Sequence, residues 1–121
     1  MIKVVYCIQK PDDMDSKEFN RYWSNDIQLA AFFGGSFNAY RGVSSRAILP
    51  DENDRLLRDR PGMPAPYDGI IEYWWKSRKD FTDGVNTMGA RAASERLLEE
   101  ESHFIDFSRS RLMVTEERVL F

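Results

Sequence analysis

Hydrophobic and polar positions divide the chain into four strand-like stretches and three helical ones. The densest apolar run is 67–76, YDGIIEYWWK, opened by an Asp-Gly turn signal and closed by Ser77-Arg78-Lys79. As a strand it places Gly69, Ile71, Tyr73 and Trp75 on one face and Ile70, Glu72 and Trp74 on the other. Large apolar groups on both faces predict a strand covered on both sides, in the middle of a sheet. In that setting the Glu72 carboxylate requires a partner or a shifted pKa.

The other stretches supply the covers. Residues 2–9, IKVVYCIQ, predict a strand that ends at Lys10-Pro11, because proline cannot continue the ladder. Asp15 and Glu18 form a capping box, and Met14 can staple to Phe19. The helix they open carries an inward stripe of Phe19, Tyr22, Trp23, Ile27, Ala30 and Phe33, and Gly34-Gly35 predicts its stop. Residues 36–49 alternate as a long second strand, with Asn38 and Tyr40 on one face and Arg41 on the other. Residues 50–66 hold four of the five prolines and predict one long connection, serving as a lid, a partner-gripping arm or a solvated insertion. Ser77 and Asp80 cap a short helix through Phe81. A longer helix from about Ala90 turns Ala90, Ala93, Leu97 and Leu98 inward and leaves Glu99, Glu100 and Glu101 mostly solvated. Residues 111–120 predict the last strand.

The order strand, helix, strand, strand, helix, strand predicts an α+β ferredoxin-like sheet of four antiparallel strands with helices on one face. The first and third strands are then central. The uncovered apolar face predicts a homodimer packed sheet to sheet.

Composition narrows the function classes. The 121 residues predict a single domain. The 17 basic and 20 acidic residues give a net charge of −3, without the basic stripe of a nucleic-acid binder or a polybasic membrane patch. The single Cys7 forms no internal disulfide, which points to a reducing, cytoplasmic location. No run approaches the roughly 18–20 apolar residues of a membrane span, and residues 1–9 do not make a signal peptide. One histidine and one cysteine give no metal-ligand spacing, and no glycine-rich phosphate loop or G-x-S-x-G elbow is present. Neither metal nor other cofactor is expected.

Three residues carry candidate chemistry. Asp26 projects from the same helix face as Tyr22 and Trp23, as a solvent-facing or arginine-paired edge group or as a proton-transfer carboxylate with a raised pKa. Tyr40, paired with Asn38, is a hydrogen-bond donor or a packed strand tyrosine. His103, among acidic residues that would raise its pKa, is a catalyst or a surface group.

The segments IKVVYCIQKP, EFNRYW, DGIIEYWW and HFIDFSRSR, in this order, resemble the EthD family of the dimeric α+β barrel superfamily. The resemblance implies a ferredoxin-like protomer that dimerises sheet to sheet. Relatives include cofactor-independent lyases, isomerases, decarboxylases and cyclases acting on aromatic-derived or polyketide molecules. Two positions depart from the family pattern: many relatives have histidines where this chain has Ile27 and Ser44. Asp26 is the nearest substitute for the first, and the Glu72–Trp74 pair matches a family feature.

Two functions of different kinds follow. One is a cofactor-independent lyase or isomerase acting on an aromatic-derived, lactone or polyketide-like molecule. Its cavity would be walled by Tyr6, Tyr22, Trp23, Phe33 and Trp74, with Asp26 as general base, Tyr40 and His103 as donors, Asn38 and Glu72 as further substrate contacts, and Arg41 or Arg46 for a substrate carboxylate. The other is a non-catalytic binding or accessory protein of a catabolic pathway. A purely structural dimer module without a cavity is a third.

Overall fold

In the computed structural model, which describes residues 1–121 except for the side chains of 27 and 28, Gly69–Trp75 forms an inner strand. Ile27, assigned above to the inward stripe and to a family histidine position, therefore lies outside the described side chains. The chain runs β1 (Ile2–Ile8), α1 (Ser16–Ser36), β2 (Arg41–Arg46), α2 (Pro50–Arg58), β3 (Gly69–Trp75), α3 (Arg78–Val85), α4 (Met88–Glu101) and β4 (Arg111–Glu116). A 3-10 turn at Phe107–Arg109 precedes β4.

The sheet order is β2-β3-β1-β4, antiparallel throughout, with β1 and β3 central as the pattern predicts. Register places Tyr6 opposite Ile71 and Leu112, and Val4 opposite Tyr73 and Val114. This face carries the helices. The Tyr73 hydroxyl donates to the Ala30 carbonyl at 2.8 Å, and the Trp75 indole N–H donates to the Phe37 carbonyl at 2.9 Å. Trp23 packs against β3, where a Cβ at Gly69 would overlap the outer edge of its indole. Ile8, Phe19, Trp23, Ile71, Phe104 and Ile105 form the buried centre of this layer.

The opposite face holds Lys3, Glu72, Trp74 and Arg41. Glu72 finds its partner there, Lys3 Nζ at 2.8 Å. The Arg41 guanidinium and the Lys3 ammonium lie over the Trp74 ring at 4.6 and 5.2 Å, and its indole N–H donates to Glu117. No described helix is long and apolar enough to cross a membrane.

Several boundaries differ from expectation. α1 passes through Gly34-Gly35 to Ser36, because glycine here serves close packing: a Cβ at Gly34 would stand 2.9 Å from the Tyr73 ring. The second strand is much shorter than 36–49. Asn38 adopts a left-handed conformation, φ 58°, and the strand begins only at Arg41. The 50–66 connection contains a helix, with Pro50 in its first turn, where the missing N–H costs nothing. Asp51 and Glu52 begin α2 and Arg55 and Arg58 end it, complementing its dipole. α3 continues past Phe81 to Val85, and α4 starts at Met88 on a Thr87 cap. The last strand stops at Glu116.

Candidate functional site

Between the sheet and helices α3 and α4 lies a cavity of about 650 Å³. Val4, Tyr6, Tyr73, Leu112 and Val114 form its floor. Ala90, Ser94 and Leu97 of α4 roof it, and Phe37, Phe81 and Phe107 stand around it. Two arginines, Arg91 and Arg111, border it.

One carboxylate enters this apolar space. Ala90, Leu97 and Glu101 follow one another at helical spacing, so the last turn of α4 directs Glu101 inward, 4% exposed. The Tyr6 hydroxyl donates to its Oε2 at 3.3 Å. Burial and the charge of Asp26 push Glu101 up to about 7, partly offset by the Tyr6 hydrogen bond. The Tyr6 hydroxyl, buried beside Glu101, and that of Tyr73 are raised and stay protonated.

Asp26 is buried behind this group, 5% exposed, and its Oδ1 has no hydrogen-bond partner among the described residues. Burial, with a contribution from Glu100, pushes it up to about 6. Asp26 does not line the cavity; it acts on Glu101, Tyr6 and Tyr73 through its charge. Both carboxyls have folded-state pKa values above their unfolded ones. The stability tied to that protonation is present below about pH 4 and is lost as pH rises through 6 to 7. Asp26→Asn is therefore expected to be more stable than the parent at pH 8, by about 2–3 kcal/mol from a two-unit shift, with the gain vanishing at pH 4. Urea unfolding at the two pH values measures it, and an equal difference at both contradicts the assignment.

The predicted site residues divide among several places. Tyr6 joins Glu101 in the cavity. Trp23 and Phe33 are core residues, and Tyr22 stacks on Phe104 with ring centroids 5.5 Å apart. Trp74, Glu72 and Arg41 belong to the opposite sheet face, so Trp74 does not wall this cavity: the helices cover the odd-numbered side of β3. Tyr40 is exposed, its hydroxyl 2.8 Å from Met1 Sδ. With Ser44 it borders a smaller cavity of about 250 Å³ between α1 and β2. Asn38 is an exposed turn residue, and Arg46 is exposed at the end of β2. His103 is exposed in the turn after α4, outside the cavity. Glu101 itself was expected in solvent. Extending the Ala90–Leu97 stripe by one turn would have found it. Among the described residues no three His, Cys, Asp or Glu side chains gather as a metal site.

The sequence profile of the EthD domain matches residues 11–108. The chain belongs to the EthD family. Curated protein sequences give no match. Among solved structures, an EthD-like protein from Ralstonia eutropha is similar with a TM-score of 0.62 and 13% identity, over 99% of this chain and 94% of the other. A dimeric protein with a ferredoxin-like fold from Bacteroides fragilis follows at 0.61 and 8%, over 96% and 95%. SnoaB from Streptomyces nogalater, a cofactor-independent oxygenase, is similar at 0.54 and 14%, over 98% and 95%. At such identities the likeness establishes the fold of this EthD chain.

Proposed function

We propose that this EthD-family chain is a single-domain, cytoplasmic, cofactor-independent lyase or isomerase acting on an aromatic-derived, lactone or polyketide-like molecule held between sheet and helices. The observation that carries this reading is the buried Glu101 carboxyl, hydrogen-bonded to Tyr6 at the end of an apolar cavity and poised near neutrality. A group with a pKa near the working pH both accepts and donates protons efficiently.

Glu101 removes the proton from a carbon beside a carbonyl, and the C–H electron pair moves onto the carbonyl oxygen as an enolate. Returning that proton to another carbon isomerises the substrate. Delivering it to a β-hydroxyl as the C–O bond breaks releases water and leaves a conjugated alkene. Tyr6, held protonated, donates a hydrogen bond to Glu101 or to the enolate oxygen. Asp26 is a positioning residue that keeps the Glu101 pKa high.

The open sheet face, with Val5, Cys7, Val43, Ile70 and Met113, packs against a second copy in this reading. The likeness to dimeric relatives supports that arrangement, and the likeness to SnoaB supports small-molecule chemistry on this fold.

A thermal-shift screen of lactones, aromatic acids and polyphenols tests the reading. A true ligand at about 100 times its dissociation constant is expected to add about 2.7 kcal/mol, and Ser94→Trp, which fills the cavity, is expected to abolish the shift. A shift that survives Ser94→Trp, or a blank across the screen, overturns it.

A further inference from the structure

Tyr73 stands between two cavities. Register sets Gly42, Tyr73, Val4 and Val114 side by side across all four strands, on the face that the helices cover. Val4 and Val114 belong to the floor of the inner cavity, and Gly42 belongs to the smaller one between α1 and β2. Tyr73 lines both, and among the described residues it alone does so. Because Gly42 has no side chain, the Tyr73 ring is what occupies this row between β2 and β1.

The ring is confined there. A Cβ at Gly34 would stand 2.9 Å from its Cε1 and 3.2 Å from its Cδ1, and a Cβ at Gly42 would stand 3.3 Å from each. Both glycines meet the same edge of the ring, one from α1 and one from β2, so the other edge turns toward Val4 and the inner cavity. The hydroxyl is tied to α1 through the Ala30 carbonyl at 2.8 Å. A ring held at its tip and along one edge acts as a fixed wall.

We propose that Tyr73 determines the size of the substrate, stopping a flat aromatic molecule at about three fused rings. The inference rests on the proposed use of the inner cavity. From Val114 to Tyr73 the floor crosses three strands, about 10 Å between the outer two at the usual spacing. Along the strands it is bounded by Phe107, ahead of β4, and by Phe81, beyond β3. A longer molecule has to pass Tyr73 into the smaller cavity. An apolar cavity of about 150 Å³ holds a benzene ring, so the smaller cavity, about 250 Å³, has room for one more ring once the tyrosine is gone.

Fluorescence titration of the full chain with 9,10-anthraquinone and its four-ring homologue 5,12-tetracenequinone tests this. The parent is expected to prefer the three-ring probe by about ten-fold or more, because overfilling a packed space is unfavourable. Tyr73→Ala is expected to remove or reverse that preference, and Tyr73→Phe, which keeps the ring, is expected to retain it. Gly34→Ala pushes the ring into the inner cavity and is expected to weaken anthraquinone binding several-fold without admitting the longer probe. Equal affinities for the two probes in the parent overturn the inference and leave the cavity reading standing. A preference that survives in Tyr73→Ala shown to be folded by circular dichroism also overturns it. Should Tyr73→Ala fail to fold, Gly34→Ala decides, and unchanged anthraquinone binding there overturns it. If neither probe binds the folded parent, the cavity reading falls and this inference with it.

Discussion

Glu101→Gln is expected to lower turnover by about 10²–10⁴-fold, the range for removing a positioned general acid or base. Glutamine keeps the size of the side chain and can still accept from the Tyr6 hydroxyl, so the fold and ligand affinity should change little. A carboxyl at about 7 that acts as base is ionised above that pH, so kcat/KM is expected to rise through neutrality and then level off. In Glu101→Gln this limb disappears. Hydrogen–deuterium exchange at the carbon beside the substrate carbonyl, followed by NMR in heavy water, reads the proton-abstraction step directly. An exchange rate unchanged by the substitution ends the assignment of Glu101. Tight binding with no exchange in the parent protein favours the accessory-binder alternative.

The largest expected effect on stability is at Trp75. Its side chain is almost fully buried, meets Phe81 edge to face at 5.0 Å between ring centroids, and donates to the Phe37 carbonyl. Trp75→Ala removes this packing and leaves a buried carbonyl without its donor. The expected loss is about 3–5 kcal/mol, the range for large aromatic-to-alanine changes in a core. That is a large share of the 5–15 kcal/mol typical of a folded domain. Trp75→Phe retains most of the bulk and loses the hydrogen bond, so a smaller loss of about 1–3 kcal/mol is expected. Urea unfolding of both variants measures the pair, and a loss below 1 kcal/mol in the alanine variant contradicts the packing described. Because Phe37 and Phe81 also wall the inner cavity, Trp75→Phe should weaken ligand binding there as well.

The fold was legible where its signals are local. Asp15 does accept the Glu18 N–H at 2.8 Å, and Ser77 accepts the Asp80 N–H at 3.0 Å, because caps are satisfied within a few residues. The two-residue alternation of 69–75 was also correct. Which side the helices cover was not readable from β3, since both sides carry tryptophan. Trp74 and Glu72 were therefore placed at a cavity that lies across the sheet from them. Tyr40 was assigned to a strand because nothing local announces that Asn38 turns left-handed. α2 was hidden by the prolines around it, although its charges already complement a helix dipole. The inward position of Glu101 was masked by the two glutamates before it, which make a solvated run. For Asp26, burial among aromatics was anticipated as one of two readings. Its place behind Glu101 depends on how α1 meets α4, which no stretch of sequence specifies alone.

The central position of β1 has a further bearing on how the molecule is made. β1 emerges from the ribosome first, yet its neighbours are β3 and β4, and the Thr115 hydroxyl that bonds Lys3 is 112 residues away along the chain. Contacts this distant slow folding and leave strand edges exposed in the meantime. Leu112 and Val114, two of the five floor residues, arrive on that same strand. A nascent chain thus has no complete chamber until translation has passed β4, so ligand capture waits for that strand and β1 keeps an open edge until it arrives.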